Sequence, residues 1–209
     1  VCILTHAQPV LLPKCVATCL SEIQRTQLSA EIILIDNASA DRYPNALAAV
    51  SPMIRIIRNE QNLGFGAGNN RAIRASSGRF VLLINDDAML QEGSLGLMIR
   101  ALEGDPQIGV VGPTLICPDG SVQTGYMNRR LPHLRGIVCE FLGLDQRLRQ
   151  SPWTRHWLTL WDDPEKSAEP EQVAGACLLV RREALDRVGL FDEGFYYVLE
   201  DADLCHRLK

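Results

Sequence analysis

The stretch RFVLLINDDAML, residues 79–90, decides how this chain folds. Its apolar run VLLI is typical of a strand that is buried on both faces. The run ends directly at Asn85, Asp86 and Asp87. Two adjacent carboxylates at the point where a strand leaves the core indicate either an ordinary turn or a ligand-binding site.

Similar apolar runs recur through the first half of the chain and alternate with helix-like segments. The predicted strands are VCILTH (1–6), EIILIDNAS (31–39), MIRIIRNE (53–60) and RFVLLINDD (79–87). The predicted helices are residues 12–26, 66–77 and 93–105, with PNALAAV as a further helical segment. Strands and helices alternating at these intervals predict an α/β fold with a mainly parallel sheet and helices on both faces.

Polar residues stand at the ends of three of these strands. They are Thr5-His6, Asp36-Asn37 and Asn85-Asp86-Asp87. Because ligands of such sheets bind beyond the carboxyl ends of the strands, we expect the three groups to converge on one ligand-binding edge. The alternative is that each group only caps a turn or a helix.

The second half is irregular before order returns. Residues 113–172 predict loops and short elements that cover a cleft or present a surface to a second substrate. Within them Arg129, Arg130 and Arg135 indicate either phosphate binding or a solvated basic surface. Beyond them, the sequence predicts a strand at GACLLVRR, a short helix at REALDRVG and the start of another helix at EDADLCHRLK.

Composition limits the choice of function. At 209 residues and 46% hydrophobic, the chain is predicted to form one domain, and its net charge of -4 argues against broad binding of nucleic acid. No apolar run approaches the roughly 20 residues that span a bilayer. Seven scattered cysteines without a C-x-x-C pair favour free core thiols and a cytoplasmic location. Because the chain starts inside a strand and ends just after a motif, we expect a piece of a longer protein.

Two acidic clusters carry the candidate chemistry. Asn85-Asp86-Asp87 suits a hard cation such as Mg²⁺ or Mn²⁺, which takes one or two carboxylates and completes its shell with water and phosphate oxygens. The second cluster, Glu200-Asp201-Ala202-Asp203, stands at the start of the last helix. Its acids either face the helix macrodipole or include a general base. We expect the preceding aromatics, FYY at 195–197, to desolvate a carboxylate and raise its pKa toward that of a general base.

The glycine-rich stretch NLGFGAGNN, residues 62–70, precedes the second predicted helix. It is not the dinucleotide fingerprint, because its glycines lack the x-x-G spacing. Gly64 and the following glycines either let the backbone approach a ligand closely or form a plain tight turn. Asn69 and Asn70 add hydrogen-bonding groups.

Five motifs, taken in order and spacing, resemble the family 2 glycosyltransferases. They are VCILTH, IILIDNAS, NLGFGAGNNRAI, VLLINDDA and GACLLVRREALDRVGLFDEGFYYVLEDADLCHRL. Within that family the chain is most similar to the bacterial rhamnosyltransferase-type enzymes. The resemblance implies a GT-A fold with a Rossmann-like, mainly parallel sheet, divided into a nucleotide-binding half (1–112) and an acceptor and catalytic half (113–209).

The resemblance also implies roles for individual residues. Thr5, Asp36, Asn37, Gly64, Asn69 and Asp86 are expected to bind the nucleotide sugar, with Asp36 on the pyrimidine base. Asp87 is expected to hold Mg²⁺ or Mn²⁺. Asp201 matches the catalytic base, and Glu200 is expected to orient it or the acceptor.

The implied reaction is an inverting transfer from a nucleotide-diphosphate sugar, UDP- or dTDP-linked, to a hydroxyl group. The acceptor implied is a saccharide or lipid-linked saccharide in cell-surface polysaccharide synthesis. This implies work in the cytoplasm, with peripheral association at the inner face of the membrane and no nucleic-acid partner. Nothing in the sequence fixes the oligomeric state.

Three positions depart from the family pattern. His6-Ala7 replaces the usual Tyr-Asn after the first strand, and Asp86 stands where near relatives often have proline. The family's histidine downstream of the E-D motif has no clear counterpart, since His206 follows Asp201 by only five residues.

Two other functions fit parts of the sequence. A nucleotidyltransferase would carry a glycine-rich, basic loop after the first strand, whereas THAQPVLLPK has no glycine. A catalytically silent sugar-nucleotide or glycan-binding module is the alternative from a different class. Measured turnover separates it from an enzyme.

Overall fold

This computed structural model of the protein describes residues 1–40, 43–123, 128–129, 138, 142 and 166–209. The candidate phosphate-binding residues Arg130 and Arg135 lie outside these ranges, and Arg129 is described only as part of a two-residue strand. Most of the irregular segment predicted for residues 113–172 also lies outside them.

Eight strands are described. They are β1 (Cys2–Thr5), β2 (Ile32–Asp36), β3 (Ile54–Arg58), β4 (Phe80–Asn85), β5 (Val110–Val111), β6 (Asn128–Arg129), β7 (Gln172–Val173) and β8 (Cys177–Arg181). The described α-helices are α1 (Leu12–Thr26), α2 (Phe65–Ala75), α3 (Ser94–Gly104), α4 (Arg182–Val188) and α5 (Glu200–Leu208). The segment predicted as helical at PNALAAV is a 3₁₀ helix, Tyr43–Ala49.

The main sheet has six strands in the order β3-β2-β1-β4-β8-β5. The first four are parallel, whereas β8 runs antiparallel to both β4 and β5. The strand order turns back at β1, which pairs with β2 on one side and with β4 on the other. In open α/β sheets this reversal point is where ligands bind.

Two hydrophobic layers enclose the sheet. Along β2, whose five residues are all buried, Ile32 and Leu34 pack with α1 and α3. Ile33 and Ile35 face the other layer, which is formed by α2, α4 and α5. Each fully buried side chain of this size contributes about 1.5–3 kcal/mol to the stability of the fold. Burial on both faces of the sheet is what the continuous apolar runs predict.

The remaining expectations concern thiols and membrane-spanning segments. The described cysteines are free thiols, and five of these six are buried, as predicted from their apolar neighbours. No helix in the described ranges combines the length and the apolar character needed to cross a bilayer.

Candidate active site

The polar ends of β1, β2 and β4 meet at one edge of the sheet, as the sequence predicts. Thr5 and Asp36 are register partners on adjacent strands, and Asn85 lies opposite Leu4. The Thr5 hydroxyl donates a hydrogen bond to Oδ2 of Asp86 at 2.5 Å. The acidic loop after β4 is thus joined directly to the end of β1.

Thr5 is part of a relay of hydroxyl groups. The Tyr43 hydroxyl lies 3.0 Å from Thr5 Oγ1 and accepts the backbone N–H of Gln8 at 2.7 Å. Since the single Thr5 proton goes to Asp86, Tyr43 donates to Thr5. Tyr43 was not predicted from the sequence, because the 3₁₀ helix that carries it is brought to β1 only by the fold.

Asp36 is fully buried and is surrounded by protein donors. The backbone N–H of Ser39 donates to Oδ1 at 2.8 Å, and the Arg58 guanidinium forms an ion pair with Oδ2. Arg58 also donates to the Ser39 carbonyl at 2.7 Å. Its side chain is 37% exposed, so a ligand arriving here meets Arg58 before Asp36. A contact between Asp36 and a pyrimidine base stays a prediction.

Asn37 holds the chain that leads into the glycine-rich stretch. Its Nδ2 donates to Asn62 Oδ1 at 2.7 Å and to the Gly64 carbonyl at 3.3 Å. Its Oδ1 accepts from Asn59 Nδ2 at 2.8 Å and from the Leu63 N–H at 3.0 Å. Because both donors and both acceptor sites of the amide are used within the protein, Asn37 positions this stretch. Its direct contact with a nucleotide stays a prediction.

Gly64 and Asn69 are also engaged by the protein. Gly64 has φ +81° and ψ −178°, a conformation essentially restricted to glycine, and it precedes α2. A Cβ at Gly64 would lie 2.5 Å from the Tyr196 carbonyl oxygen, so the close approach made here is to protein backbone. Asn69 is buried and donates to the Phe65 carbonyl at 3.1 Å. Nucleotide contacts of both residues stay predictions.

The acidic loop after β4 presents two different carboxylates. Burial raises the pKa of Asp86, the Thr5 hydrogen bond opposes that shift, and the neighbouring Asp87 adds to it. Asp87 is exposed. No group of three His, Cys, Asp or Glu side chains able to hold a metal exists among the described residues. One exposed carboxylate nevertheless fits Mg²⁺ or Mn²⁺ that is shared with a diphosphate, because such ions keep water and phosphate ligands.

Asp201 is fixed near this loop by backbone donors. Its Oδ2 accepts the Gly175 N–H at 3.0 Å, and its Oδ1 accepts the Ala202 N–H at 2.8 Å. The next residue, Ala176, accepts the Asn85 N–H through its carbonyl at 2.9 Å. The two acidic clusters, separated by over a hundred residues in the chain, are therefore connected through Gly175 and Ala176.

Glu200 differs from Asp201. It is 6% exposed, and its Oε2 has no hydrogen-bond partner within the described part of the chain. Burial raises the pKa of Glu200, and the neighbouring Asp201 raises it further. The expected rise in the pKa of a carboxylate is therefore present at Glu200, although two of the residues expected to cause it, Tyr196 and Tyr197, are 63% and 74% exposed to solvent.

His206 is exposed on α5. The residues that sequence reasoning missed are Arg58, Tyr43, Asn59 and Asn62, together with the backbone of Gly175. Only Asn59 and Asn62 carried a signal, since amides cluster there in RNEQN.

Comparisons with known proteins identify relatives of this chain. A rhamnosyltransferase from Mycobacterium tuberculosis, N-acetylglucosaminyl-diphospho-decaprenol L-rhamnosyltransferase, is 32% identical over 200 residues. The match covers 88% of this chain and 62% of that relative, so the chain spans less than two thirds of its length.

Two solved structures share the fold. The Pyrobaculum calidifontis mannosyltransferase PcManGT in complex with GDP-Man and Mn²⁺ has a TM-score of 0.66 at 18% identity, covering 97% of this chain and 49% of that one. GalNAc-T7 with UDP, GalNAc and Mn²⁺ has a TM-score of 0.70 at 17% identity, covering 99% and 39%. These neighbours are GT-A glycosyltransferases, which confirms the fold predicted from the sequence.

The family is shown by a wider match. The family model described as glycosyl transferase family 2 matches residues 1–189, which is most of the chain. The predicted resemblance is thereby confirmed, and this chain belongs to glycosyl transferase family 2.

Proposed function

We propose that this chain is the catalytic part of an inverting, divalent-metal-dependent glycosyltransferase. It transfers a sugar from a UDP- or dTDP-linked donor to a hydroxyl group of a saccharide or lipid-linked saccharide. The observation that carries the proposal is the connection of Asp201 to Asn85 through Gly175 and Ala176. This connection supports a general base close to the diphosphate site.

Asp201 acts as the general base. Its carboxylate accepts the proton of the acceptor hydroxyl while that oxygen forms a bond to the anomeric carbon. The bond from that carbon to the diphosphate breaks, and the diphosphate leaves with the electron pair. The Gly175 and Ala202 N–H groups fix the Asp201 carboxylate in place. Attack from the face opposite the leaving group inverts the anomeric configuration.

Asp87 would hold the divalent cation, which supplies charge neutralisation for the leaving diphosphate when it is bound. Thr5 holds Asp86 next to it through the 2.5 Å hydrogen bond. The acidic loop is therefore kept in one orientation by the end of β1. Mn²⁺ in the two solved neighbours supports a metal-dependent mechanism.

The proposal includes a biological setting. The M. tuberculosis relative has a lipid-linked sugar in its name, which supports a lipid-linked acceptor in cell-surface polysaccharide synthesis. Such an acceptor would bring the protein to the inner face of the membrane as a peripheral partner. The division into a nucleotide-binding half, 1–112, and an acceptor half, 113–209, belongs to the same proposal.

Calorimetry tests the donor site. UDP, dTDP, GDP and ADP are titrated with Mn²⁺, then with EDTA, against the wild type, Asp87→Asn and the exposed control Asp119→Asn. We expect one pyrimidine diphosphate to bind with metal, and Asp87→Asn to weaken it by about tenfold or more. Equal affinity in EDTA, or an unaffected Asp87→Asn variant, would contradict the metal role.

Inversion has its own test. Nuclear magnetic resonance of the product from a donor of known anomeric configuration reports the configuration of the new bond. Inversion is expected, because the acceptor oxygen is proposed to displace the diphosphate directly, without a covalent intermediate on a carboxylate. Retention would exclude the single-displacement mechanism.

A further inference from the structure

Four consecutive residues before α5 expose apolar and aromatic side chains to solvent. Tyr196, Tyr197, Val198 and Leu199 are 63%, 74%, 62% and 47% exposed. We call Tyr196–Leu199 the tyrosine segment. Exposed apolar clusters of this kind mark binding surfaces more often than isolated exposed residues do. The proposed mechanism assigns no role to these four side chains.

The tyrosine segment links the two parts of the candidate active site. At its start, the Tyr196 carbonyl accepts the Phe65 N–H at 3.2 Å, and the Tyr196 ring lies against Gly64. At its end, it leads directly into Glu200 and Asp201. A molecule whose hydroxyl is to reach Asp201 therefore has this segment as a neighbouring surface.

The backbone of the segment is held in an unfavourable conformation. Val198 and Leu199 have φ values of +68° and +72°. Left-handed backbone is a genuine outlier for a β-branched residue such as Val198. The Leu199 carbonyl accepts the Asp203 N–H at 2.9 Å, which starts α5. The strained turn is thus fixed by the helix that carries Asp201, and outliers of this kind cluster at ligand-binding sites.

The chemistry of the surroundings selects the occupant. From 189 to 205 the chain has five acidic residues and no lysine or arginine. An anionic lipid surface attracts basic segments and is repelled by this one. A neutral sugar ring has an apolar C–H face and a rim of hydroxyl groups. A tyrosine matches both features of the sugar. Its negative ring face attracts the C–H groups, and its phenol hydroxyl forms hydrogen bonds with the sugar hydroxyls.

We infer that the tyrosine segment binds the acceptor saccharide, with the Tyr197 ring as the surface on which a sugar ring stacks. This inference rests on the proposed function, since the acceptor hydroxyl is the group that Asp201 deprotonates. Tyr197 is a binding residue in this arrangement, and Tyr196 positions the segment against Gly64.

Ligand-observed magnetic resonance tests the inference. The probes are methyl glycosides of glucose, galactose, mannose, rhamnose and N-acetylglucosamine, titrated with Mn²⁺ and UDP or dTDP present. For the glycoside that binds, Tyr197→Ala is expected to weaken binding by about tenfold, whereas Tyr197→Phe keeps the ring face and stays within about twofold. Leu97→Ala, at a 61% exposed position on α3, is the control and should change nothing.

The outcomes separate this inference from the proposed function. Unchanged binding by Tyr197→Ala would overturn it. Glycoside binding absent from the wild type, while a nucleotide diphosphate still binds, would overturn it and leave the transferase proposal standing. Binding of the wild type, but not Tyr197→Ala, to phosphatidylglycerol vesicles without any glycoside binding would overturn it in favour of a lipid surface. Failure of nucleotide binding alone would contradict the proposed function and not a glycan site at Tyr197.

Discussion

Asn37 and Tyr197 belong to two regions of the candidate active site that the protein surrounds in different ways. Asn37, at the strand ends, is 2% exposed, and all the donor and acceptor sites of its side-chain amide form hydrogen bonds within the protein. Tyr197, in the tyrosine segment, is 74% exposed. The hydrogen bonds of Asn37 are complete without a ligand, whereas the tyrosine segment presents surface that a ligand would cover.

This difference separates two consequences of substitution. A residue whose hydrogen bonds are all made within the protein supports the fold, so its loss leaves buried groups without partners. A residue that faces solvent beside a reactive carboxylate contributes little to the fold and acts through what it binds. Stability measurements and activity measurements should therefore respond to different halves of the site.

The largest expected effect belongs to Asp201. Asp201→Asn removes the proposed base and should lower kcat by about 10³-fold, equivalent to about 4 kcal/mol. The asparagine oxygen can accept only one of the two backbone N–H groups, of Gly175 or Ala202, so the free energy of unfolding should fall by about 1–2 kcal/mol. Steady-state rates and calorimetric unfolding measure the two quantities.

Asp203→Asn is the matched control for Asp201. Asp203 stands on the same helix but pairs with Arg207 at 2.7 Å. Its substitution should cost about 0.5 kcal/mol of stability or less and leave kcat unchanged. An inactive Asp203→Asn variant, or an active Asp201→Asn variant, would contradict the assignment of Asp201 as the base. A wild type without any turnover would instead favour the silent binding module.

Asn37→Ala should differ from Asp201→Asn, because its main effect is on stability. It leaves Asn59 Nδ2 and the Leu63 N–H without their acceptor, which should cost about 3–5 kcal/mol in the free energy of unfolding. Denaturant unfolding measures the loss, with the exposed Asn45→Ala as control. Unchanged stability with lost nucleotide binding would instead make Asn37 a direct ligand contact, as the sequence predicts.

Gly64 and Gly93 form a matched pair within the strand-end comparison. Their φ values are +81° and +80°, yet a Cβ at Gly64 would meet the Tyr196 carbonyl at 2.5 Å whereas nothing lies within 4 Å at Gly93. Gly64→Ala should cost about 3 kcal/mol and Gly93→Ala about 1 kcal/mol, by denaturant unfolding. Equal costs would mean that the tyrosine segment moves away from Gly64 freely.

The sequence predicted the elements well because their signals are local. The strand predicted at 53–60 is observed at Ile54–Arg58, and the helix predicted at 66–77 at Phe65–Ala75. Apolar runs bounded by polar residues set these positions without reference to the rest of the chain. The meeting of the strand ends also followed, because it depends only on parallel pairing.

The partners of the site residues were not predictable in the same way. Asp36 meets Arg58, from the neighbouring strand, and Asp201 meets Gly175, 26 residues earlier. The first pair depends on the register between β2 and β3, and the second on how the segment around Gly175 approaches α5. Residue types alone encode neither. The exposure of the aromatic run was not predictable either. A desolvated carboxylate is present at Glu200, but the segment has a left-handed turn at Val198 and Tyr197 is exposed to solvent.

The smallest expected effect is the pH dependence of stability that arises from Glu200, and the prediction concerns its direction. Burial raises its pKa in the folded state above the ordinary value of about 4.5. The folded protein therefore binds the proton more tightly than the unfolded chain, and stability falls as pH rises from the unfolded pKa to the folded one. Glu200→Gln removes this loss, so its unfolding free energy relative to wild type should rise across that window and then level off.

Glu193 provides a control of opposite sign. A hydrogen bond from Asn70 lowers the pKa of Glu193, with Arg74 adding to the shift. Its charge therefore stabilises the folded state above the unfolded pKa, and that contribution is lost as pH falls through the folded pKa. Glu193→Gln should lose stability relative to wild type as pH rises, where Glu200→Gln gains. Unfolding curves from pH 3 to 8 compare the slopes. Parallel slopes for the two variants would mean that Oε2 of Glu200, which has no partner among the described residues, has found a donor in solution.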